Sequence, residues 1–537
     1  IQYGAVRYLS IEEGKLKIIL PNLTVEEQTP YAYQLINNQE IPVECAFDLV
    51  NNSVRFTVGN YNPDYMLFID PIVVASTNSG STVNTFGHSA TFDQFGNIYG
   101  AGRPFGAGFP TDTGSFQMIF GGGGVDIGLS KMNEDGSQLL WSTYIGGNAA
   151  DFAHSIVVNG YNQIIVYGKS QSPDYPVSVN AFDTSHNGNF DIVVTVLSDS
   201  GDALIGSTFI GGEGVDGSNS LPAGAYTSFK GEVETDVYSN IYIASTTTSD
   251  TFPVTPSAVQ LVKDSLQDGV LIKLNYNASS LMGSTYFGGD NTDAAFGIKP
   301  MKNGDIVVCG STQSPNFYSS SVGELDSFRG PQDAFLTKFN SDFSQILTST
   351  FVRADSGSMD DGNFLQVDRE RNIYILGESD SIQADTNRYD GPGVGSFIRK
   401  YSSNLDSIHW TTTFTSINQS AFLVDNCMNI YAGGEKGIGG GVQNAELTPD
   451  AVQSTAGGFY IVVLNADADS LIHGTYYGNG GSHVDGGTSR FDKRGAVYQA
   501  TCSAGFFPLN TNAFSGNQSN SVSYTHLRAH ETSLHLV

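Results

Sequence analysis

A short signal, a small or polar residue followed by Thr and an aromatic ring, returns along most of this chain and leaves few folds open to it. It stands at Ser142-Thr143-Tyr144, Ser207-Thr208-Phe209, Ser284-Thr285-Tyr286, Ser349-Thr350-Phe351 and Gly474-Thr475-Tyr476, with weaker copies at Thr412-Thr413-Phe414 and Ser76-Thr77. From Thr77 to Thr475 the steps are 66, 65, 77, 65, 63 and 62 residues. A second signal, a β-branched or aromatic run after a turn, occurs seven times, as at Asn97-Ile98-Tyr99, Asn240-Ile241-Tyr242 and Ala496-Val497-Tyr498. A third, a strand ending in a polar turn, is seen at Asp126 to Met132, Asp191 to Leu197 and Asp333 to Phe339 among others. A fixed period of this kind marks a repeat architecture before any local structure is considered.

Each unit reads as four short strands with Asn, Asp and Gly turns between them, as hairpins require. In the second unit these are Ser155–Asn159, Gln163–Gly168, Asp191–Leu197 and Leu204–Ile210. One small twisted sheet cannot bury both its faces, whereas radial stacking of such sheets covers them and leaves only short edges. The expected fold is therefore all-β, a seven-bladed β-propeller of four-stranded antiparallel blades over residues 72–521, preceded by a small β-rich domain at 1–71. Composition agrees: 62 Gly in 537 residues supply turns, and only 15% of residues are charged, too few for a helical bundle.

Ser142-Thr143-Tyr144-Ile145-Gly146-Gly147, Asn372-Ile373-Tyr374-Ile375-Leu376-Gly377 and Asp333-Ala334-Phe335-Leu336-Thr337-Lys338 resemble the SBBP repeat, as do Phe252-Pro253 with Ala258-Val259 and Phe507-Pro508 with Ala513-Phe514. That resemblance implies a seven-bladed propeller of a kind common in large exported bacterial proteins, hence a secreted or cell-surface location. Residues 1–71, with strand-like runs at Lys15–Leu20, Tyr31–Ile36, Val43–Val50, Val54–Val58 and Met66–Ile69, resemble the β-rich domain of unknown function that often precedes such repeats. At the other end the third strand of the last blade is expected just after Ser521. The stretch there, Ser523 to Val537, carries His526, His530 and His535 and resembles translated adaptor sequence. Residues 522–537 are accordingly set aside as a non-native tail.

Common catalytic signatures, G-x-S-x-G, HExxH, a Walker A loop and an EF-hand loop, are absent from the sequence. Gly212-x-Gly214-x-x-Gly217 matches a dinucleotide fingerprint by spacing, but it belongs to the Gly-rich connection that follows every Thr-aromatic strand. Cys45, Cys309, Cys427 and Cys502 are far apart and form no zinc or disulfide pattern. What does recur is a carboxylate. Asp151, Asp216 and Asp293 lie eight residues after the Thr of the preceding strand, and Asp360 and Asp485 lie ten after theirs. Such connections share one face of a propeller, so these five could ring a central opening and suit Ca²⁺, which prefers oxygen ligands. The plainer expectation is that each accepts backbone N–H groups and shapes a Gly-rich turn. The third connection is longer by about twelve residues and carries Tyr226 and Phe229, either a contact loop or a plug over the channel.

With 54 acidic against 25 basic residues the formal net charge is −29, which repels phosphate backbones and disfavours nucleic acid as a partner. The expected function is a non-enzymatic exported or surface propeller that binds a glycan or protein on one face, an adhesion or interaction scaffold without a cofactor. Two alternatives stand beside it. One is a polysaccharide lyase or glycoside hydrolase, which needs an unrepeated set of acid and base groups on one face; the other is a spacer without a ligand.

Overall fold

The computed structural model describes residues 8–12, 14–20, 23–27, 30–36, 39–50, 53–63, 65, 67–70, 73–221, 230–264, 266–318, 327–354, 357–393, 395–435, 442–449, 451–478, 484, 488–492, 496–502, 513–514 and 522–528. The chain divides into two compact units, Ile1–Val74 with Leu527–Val537, and Ala75–His526.

In the larger unit the chain forms a β-propeller whose blades are antiparallel sheets of four consecutive strands. Blade one comprises Thr85–Phe92, Ile98–Pro104, Ile127–Met132 and Leu139–Ile145; blade two comprises Asp151–Val158, Ile164–Ser170, Asp191–Leu197 and Leu204–Ile210. Blade three follows with Glu232–Thr235, Ile241–Thr247, Asp268–Leu274 and Leu281–Phe287, and blade four with Asp293–Pro300, Ile306–Thr312, Asp333–Phe339 and Ile346–Val352. Blade five is Asp360–Val367, Ile373–Ser379, Gly395–Tyr401 and Ile408–Phe414; blade six is Asn418–Val424, Ile430–Glu435, Phe459–Leu464 and Leu471–Tyr477.

The expectation of seven blades is corrected here: six blades are found, not seven. The last copy of the repeat does not complete a run of four neighbouring strands. Its first strand is only Arg490–Phe491, paired with Tyr498 and Val497. The sheet around it has the order Arg490–Phe491, Ala496–Cys502, Val522–Arg528, Val73–Asn78, so it is a composite of distant segments. Val522–Arg528, set aside on sequence, is its third strand. First strands of successive blades lie side by side, and Arg490–Phe491 lies against those of blades six and one, so the circle closes through this composite sheet.

Local chemistry explains the hairpins. Between first and second strands, Asp93, Asp236, Asp368 and Asp425 each accept the backbone N–H groups two and four residues on, while the second carboxylate oxygen accepts the side-chain amide of Asn97, Asn240, Asn372 or Asn429. This Asx geometry replaces a backbone turn and tolerates the left-handed residue each loop contains, such as Ser239 at φ 63° or Arg371 at φ 71°. Packing then happens between blades. Ile165, Tyr167 and Val194 of blade two meet Val233, Ile243, Val270 and Ile272 of blade three, all fully buried. Second strands are buried along their whole length in blades one to four, which is why their first halves read as apolar runs without alternation, while the polar and charged residues of their second halves are buried too.

The smaller unit holds the three-stranded sheet Tyr8–Glu12, Lys15–Leu20, Leu23–Glu27, a second sheet ordered Gln39–Val43, Tyr31–Ile36, Leu67–Asp70, and the hairpin Cys45–Val50 with Ser53–Val58. Leu9, Leu16, Ala32, Val43 and Phe47 are buried in it. Gln34, also buried, donates to the carbonyls of Asn62 (2.7 Å) and Tyr65 (2.8 Å) and accepts from Asn62 N–H (2.7 Å), pinning the loop before the last strand.

Candidate functional site

The sequence-predicted carboxylates fall on the crossings between blades. Asp151 and Asp293 open the first strands of blades two and four, Asp360 opens that of blade five, and Asp216 bridges to Thr247 of blade three. Each is wholly or almost wholly buried and acts as a clasp. Asp151 accepts Gly147 N–H at 2.8 Å, Ser172 Oγ at 2.9 Å and Ser170 Oγ. Asp216 accepts Gly212 N–H at 2.8 Å, Ser249 Oγ at 3.0 Å and Thr247 Oγ1. Asp293 accepts Gly289 N–H at 2.7 Å and Ser314 Oγ at 2.8 Å. Asp360, two residues later in its loop, accepts Ala354 N–H at 3.1 Å and Ser358 Oγ at 3.2 Å. Asp485, Tyr226 and Phe229 lie outside the described residues.

A second carboxylate, not singled out on sequence, faces each clasp from the start of the third strand. At Gly211 an added Cβ would lie 2.6 Å from Asp191 Oδ1 and 2.7 Å from Asp216 Oδ2, and Gly146 stands likewise between Asp126 and Asp151. Only glycine lets the backbone pass between the two acids, which accounts for the Gly-Gly that ends the fourth strands of blades one to three. Burial raises the acids: Asp126 and Asp293 to about 7, Asp151 and Asp216 to about 6, with the hydroxyl and amide donors pulling the other way. Among the described residues no three His, Cys, Asp or Glu side chains gather closely enough to hold a metal ion.

A different set occupies the first strands. Five of them carry a β-bulge, between Gly87 and Ser89, Ala153 and Ser155, Ala295 and Gly297, Gly362 and Phe364, and Gln419 and Ala421. The extra residue is His88, His154, Phe296, Asn363 or Ser420 in turn. Bulges re-aim a side chain and recur beside functional sites. These residues differ in every blade but the first two, so no repeat signal reveals them. His88 and His154 stack at 6.3 Å, both fully buried; burial first, and then Arg103 and Lys169, hold their protonation well below the usual histidine range. Lys230 lies 5.1 Å over the Phe296 ring and donates to Asn363 Oδ1 at 2.5 Å, and Asn363 passes the chain on to Gln419 at 2.5 Å. The described start of the long third crossing turns inward too: Leu221 is buried against Ala294 and Phe296.

Just past the bulges, one place on the second strand sorts by charge. It holds Arg103 in blade one and Lys169 in blade two, Thr246 and Ser311 in the next two, and Glu378 and Glu435 in blades five and six. Lys169 is pushed down to about 7 by burial and by Arg103, while burial pushes Glu378 up to about 7. Comparing this place across repeats would have exposed the division from sequence, since it varies where its neighbours do not.

Nearer the opposite ends of the first strands, four charges meet. Arg490 pairs with Glu234 at 2.6 Å and Glu232 at 3.6 Å, and Lys299 pairs with Glu234 and, at 3.6 Å, with Glu232. Arg490 also donates to the carbonyls of Ile156 (2.9 Å) and Val233 (2.6 Å), so blades two, three and four are joined to the composite sheet. Burial works to raise the Glu234 carboxyl, but Lys299 and Arg490 outweigh it and hold it at about 2. Elsewhere a pocket of about 440 Å³ opens between blades two and three, walled by Phe182, Asp183, Glu213 and Thr251. The Glu213 carboxylate there already accepts from Asp250 N–H (3.0 Å) and Thr251.

Residues 1–72 match a family model described as "Domain of unknown function (DUF7948)". No curated protein matches the chain. Solved structures similar to it include Chaetomium thermophilum Raptor, at 9% identity and TM-score 0.42, covering 84% of this chain and 30% of that one. A Dyadobacter fermentans protein of unknown function is 11% identical with TM-score 0.39, covering 85% of this chain and 99% of its own. The β-propeller domain of Myceliophteria thermophila Cps50 (Swd1) is 8% identical with TM-score 0.41, covering 84% and 99%. The chain thus spans under a third of the length of the Raptor chain it matches.

Proposed function

We propose that this chain is a non-enzymatic binding module of an exported or surface-attached bacterial protein, holding a glycan or protein ligand at the bulged ends of its first strands. A β-propeller suits a binding or scaffold role in general, because rigid repeated sheets present variable positions on one rim. The observation that carries the proposal is the sorting of one repeat position into Arg103 and Lys169 on two adjacent blades and Glu378 and Glu435 on two others. A sheet needs none of these charges in order to fold, as Thr246 and Ser311 at the same place show. Against an enzyme stands the enclosure of His88 and His154, neither of which reaches solvent. A glycan array combined with a turnover screen on the full chain tests this. Binding without product supports it, whereas product formation favours a lyase or hydrolase and complete silence favours a spacer.

A further inference from the structure

The pocket between blades two and three lies where one repeat position departs from its copies. At that position the backbone N–H donates to the Thr of the Thr-aromatic signal: Gln117 to Thr143 at 2.8 Å, Asp183 to Thr208 at 2.8 Å, Gln260 to Thr285 at 3.1 Å and Gln453 to Thr475 at 3.1 Å. Blades one, three and six therefore carry Gln where blade two carries Asp. The glutamines use their length to reach the end of the fourth strand. Gln117 Oε1 accepts Gly146 N–H at 3.2 Å, Gln260 Oε1 accepts Gly288 N–H at 3.0 Å, and Gln453 Nε2 donates to the Gly478 carbonyl at 3.0 Å. Gln260 Nε2 also donates to Asp268 Oδ2 at 3.1 Å. In blade three a carboxamide thus rests with its oxygen on a glycine N–H and its nitrogen on a carboxylate.

Asp183 is one methylene shorter and does not make that span. Its carboxylate turns back to accept Ser185 N–H at 2.8 Å and the Asn187 amide at 2.9 Å. Gly211, the counterpart of Gly146 and Gly288, lines the pocket instead. The cavity of about 440 Å³ falls within the range of small-ligand sites, about 300–1,000 Å³. Phe182 and Pro253 give it apolar wall, and Phe182 is held by packing on the core that blades two and three share. Asp183 keeps lone pairs beyond the two bonds it accepts, and Glu213 adds a second carboxylate. Two carboxylates repel an anionic group, while a glycine N–H calls for an acceptor that an ammonium group lacks. A neutral amide satisfies both, because it carries an acceptor and a donor side by side, as the sister glutamines do.

We propose that this pocket binds the acetamido group of an N-acetylated sugar, its carbonyl oxygen accepting Gly211 N–H, its N–H donating to Asp183 and its methyl group against Phe182 and Pro253. The site is separate from the bulged first strands and goes beyond the reading given for them. Saturation-transfer NMR titrations of the full chain with N-acetylglucosamine, N-acetylgalactosamine, N-acetylmannosamine, glucosamine and glucose test it. At least one of the three acetamido sugars should bind, with its methyl protons the most strongly saturated. Glucosamine and glucose should bind at least about tenfold more weakly, the worth of the lost amide contacts. Asp183→Gln installs the side chain that three sister blades already carry, so it should fold as they do and abolish binding by filling the pocket. Glucose or glucosamine binding as tightly as the acetamido sugars overturns the inference, and so does silence of all five. Acetamido binding that Asp183→Gln leaves unchanged overturns it too. The glycan array repeated with Asp183→Gln reads the bulged strands alone, so the two readings fail separately.

Discussion

The crossings between blades and the first strands of those blades are neighbours in space, yet they were built under different constraints. At the crossings the same device recurs: Asp151, Asp216 and Asp293 each clasp the second Gly of a Gly-Gly pair and a Ser just past the end of the neighbouring second strand. On the first strands the bulge recurs but its residue does not hold constant, being His, His, Phe, Asn and Ser in turn. Repetition marks what the fold cannot lose, because each copy must solve the same backbone problem. Variation at a fixed place marks freedom that a ligand can shape.

The largest expected effect tests whether the unrepeated residues are free throughout. Arg490→Met removes one charge from a buried four-member cluster and leaves Glu232 and Glu234 facing Lys299 alone. A loss of about 3–5 kcal/mol in urea unfolding is expected. A near-neutral result would mean that the cluster does not hold the blades together. Next comes the clasp. Asp216→Ala strands three buried donors, on Gly212, Ser249 and Thr247, and should cost about 3 kcal/mol or more in the same measurement; Asp216→Asn, which keeps an acceptor, should lose less. An equal loss from both variants would deny that the hydrogen bonds are what matters.

Proton linkage separates the two regions again. Asp126, Asp151, Asp216 and Asp293 bind protons more tightly folded than unfolded, since burial holds them at about 6 to 7. Their contribution is fully present below the ordinary carboxylate range and is lost as pH rises through those values. Glu234, held at about 2, works in the other direction: its contribution is present above the ordinary range and fades as pH falls toward 2. Melting scans should therefore peak at about pH 4–5 and decline by pH 8. A flat profile from pH 5 to 8 would break the claim that the crossings bury acids at a cost. The smallest loss is expected at Glu378, whose carboxyl burial raises to about 7; Glu378→Gln removes a charge that is costly to bury and should leave stability at pH 7 unchanged or higher. A loss would move that position from the free class into the structural one.

How much of this was legible follows the same division. The strand periods, the hairpin turns and the crossing aspartates were readable because they repeat, and Asp191–Leu197 and Leu204–Ile210 fall where the sequence put them. The first strand of blade two was expected from Ser155 but starts at Asp151. A bulge at His154 breaks the alternation that a strand is recognised by, and it shifts register without changing the period. Arg490 was unreadable for another reason. Its partner Glu234 is 256 residues away, and no local pattern reports a contact at that separation. The count of seven failed at the same place, because Arg490–Phe491 is too short to register as a strand in its own right.

The composite sheet carries a consequence in time. Blades one to six are each closed by neighbouring residues, so each hairpin can zip soon after it leaves the ribosome. Val73–Asn78 must wait for Val522–Arg528, and in that interval a nearly complete ring exposes unpaired strand edges. Closure within one chain is the late event and is independent of concentration, whereas a second chain offering the same segment competes for it in proportion to its concentration. Slow synthesis or high expression should therefore favour exchange of this strand between chains over loss of any single blade.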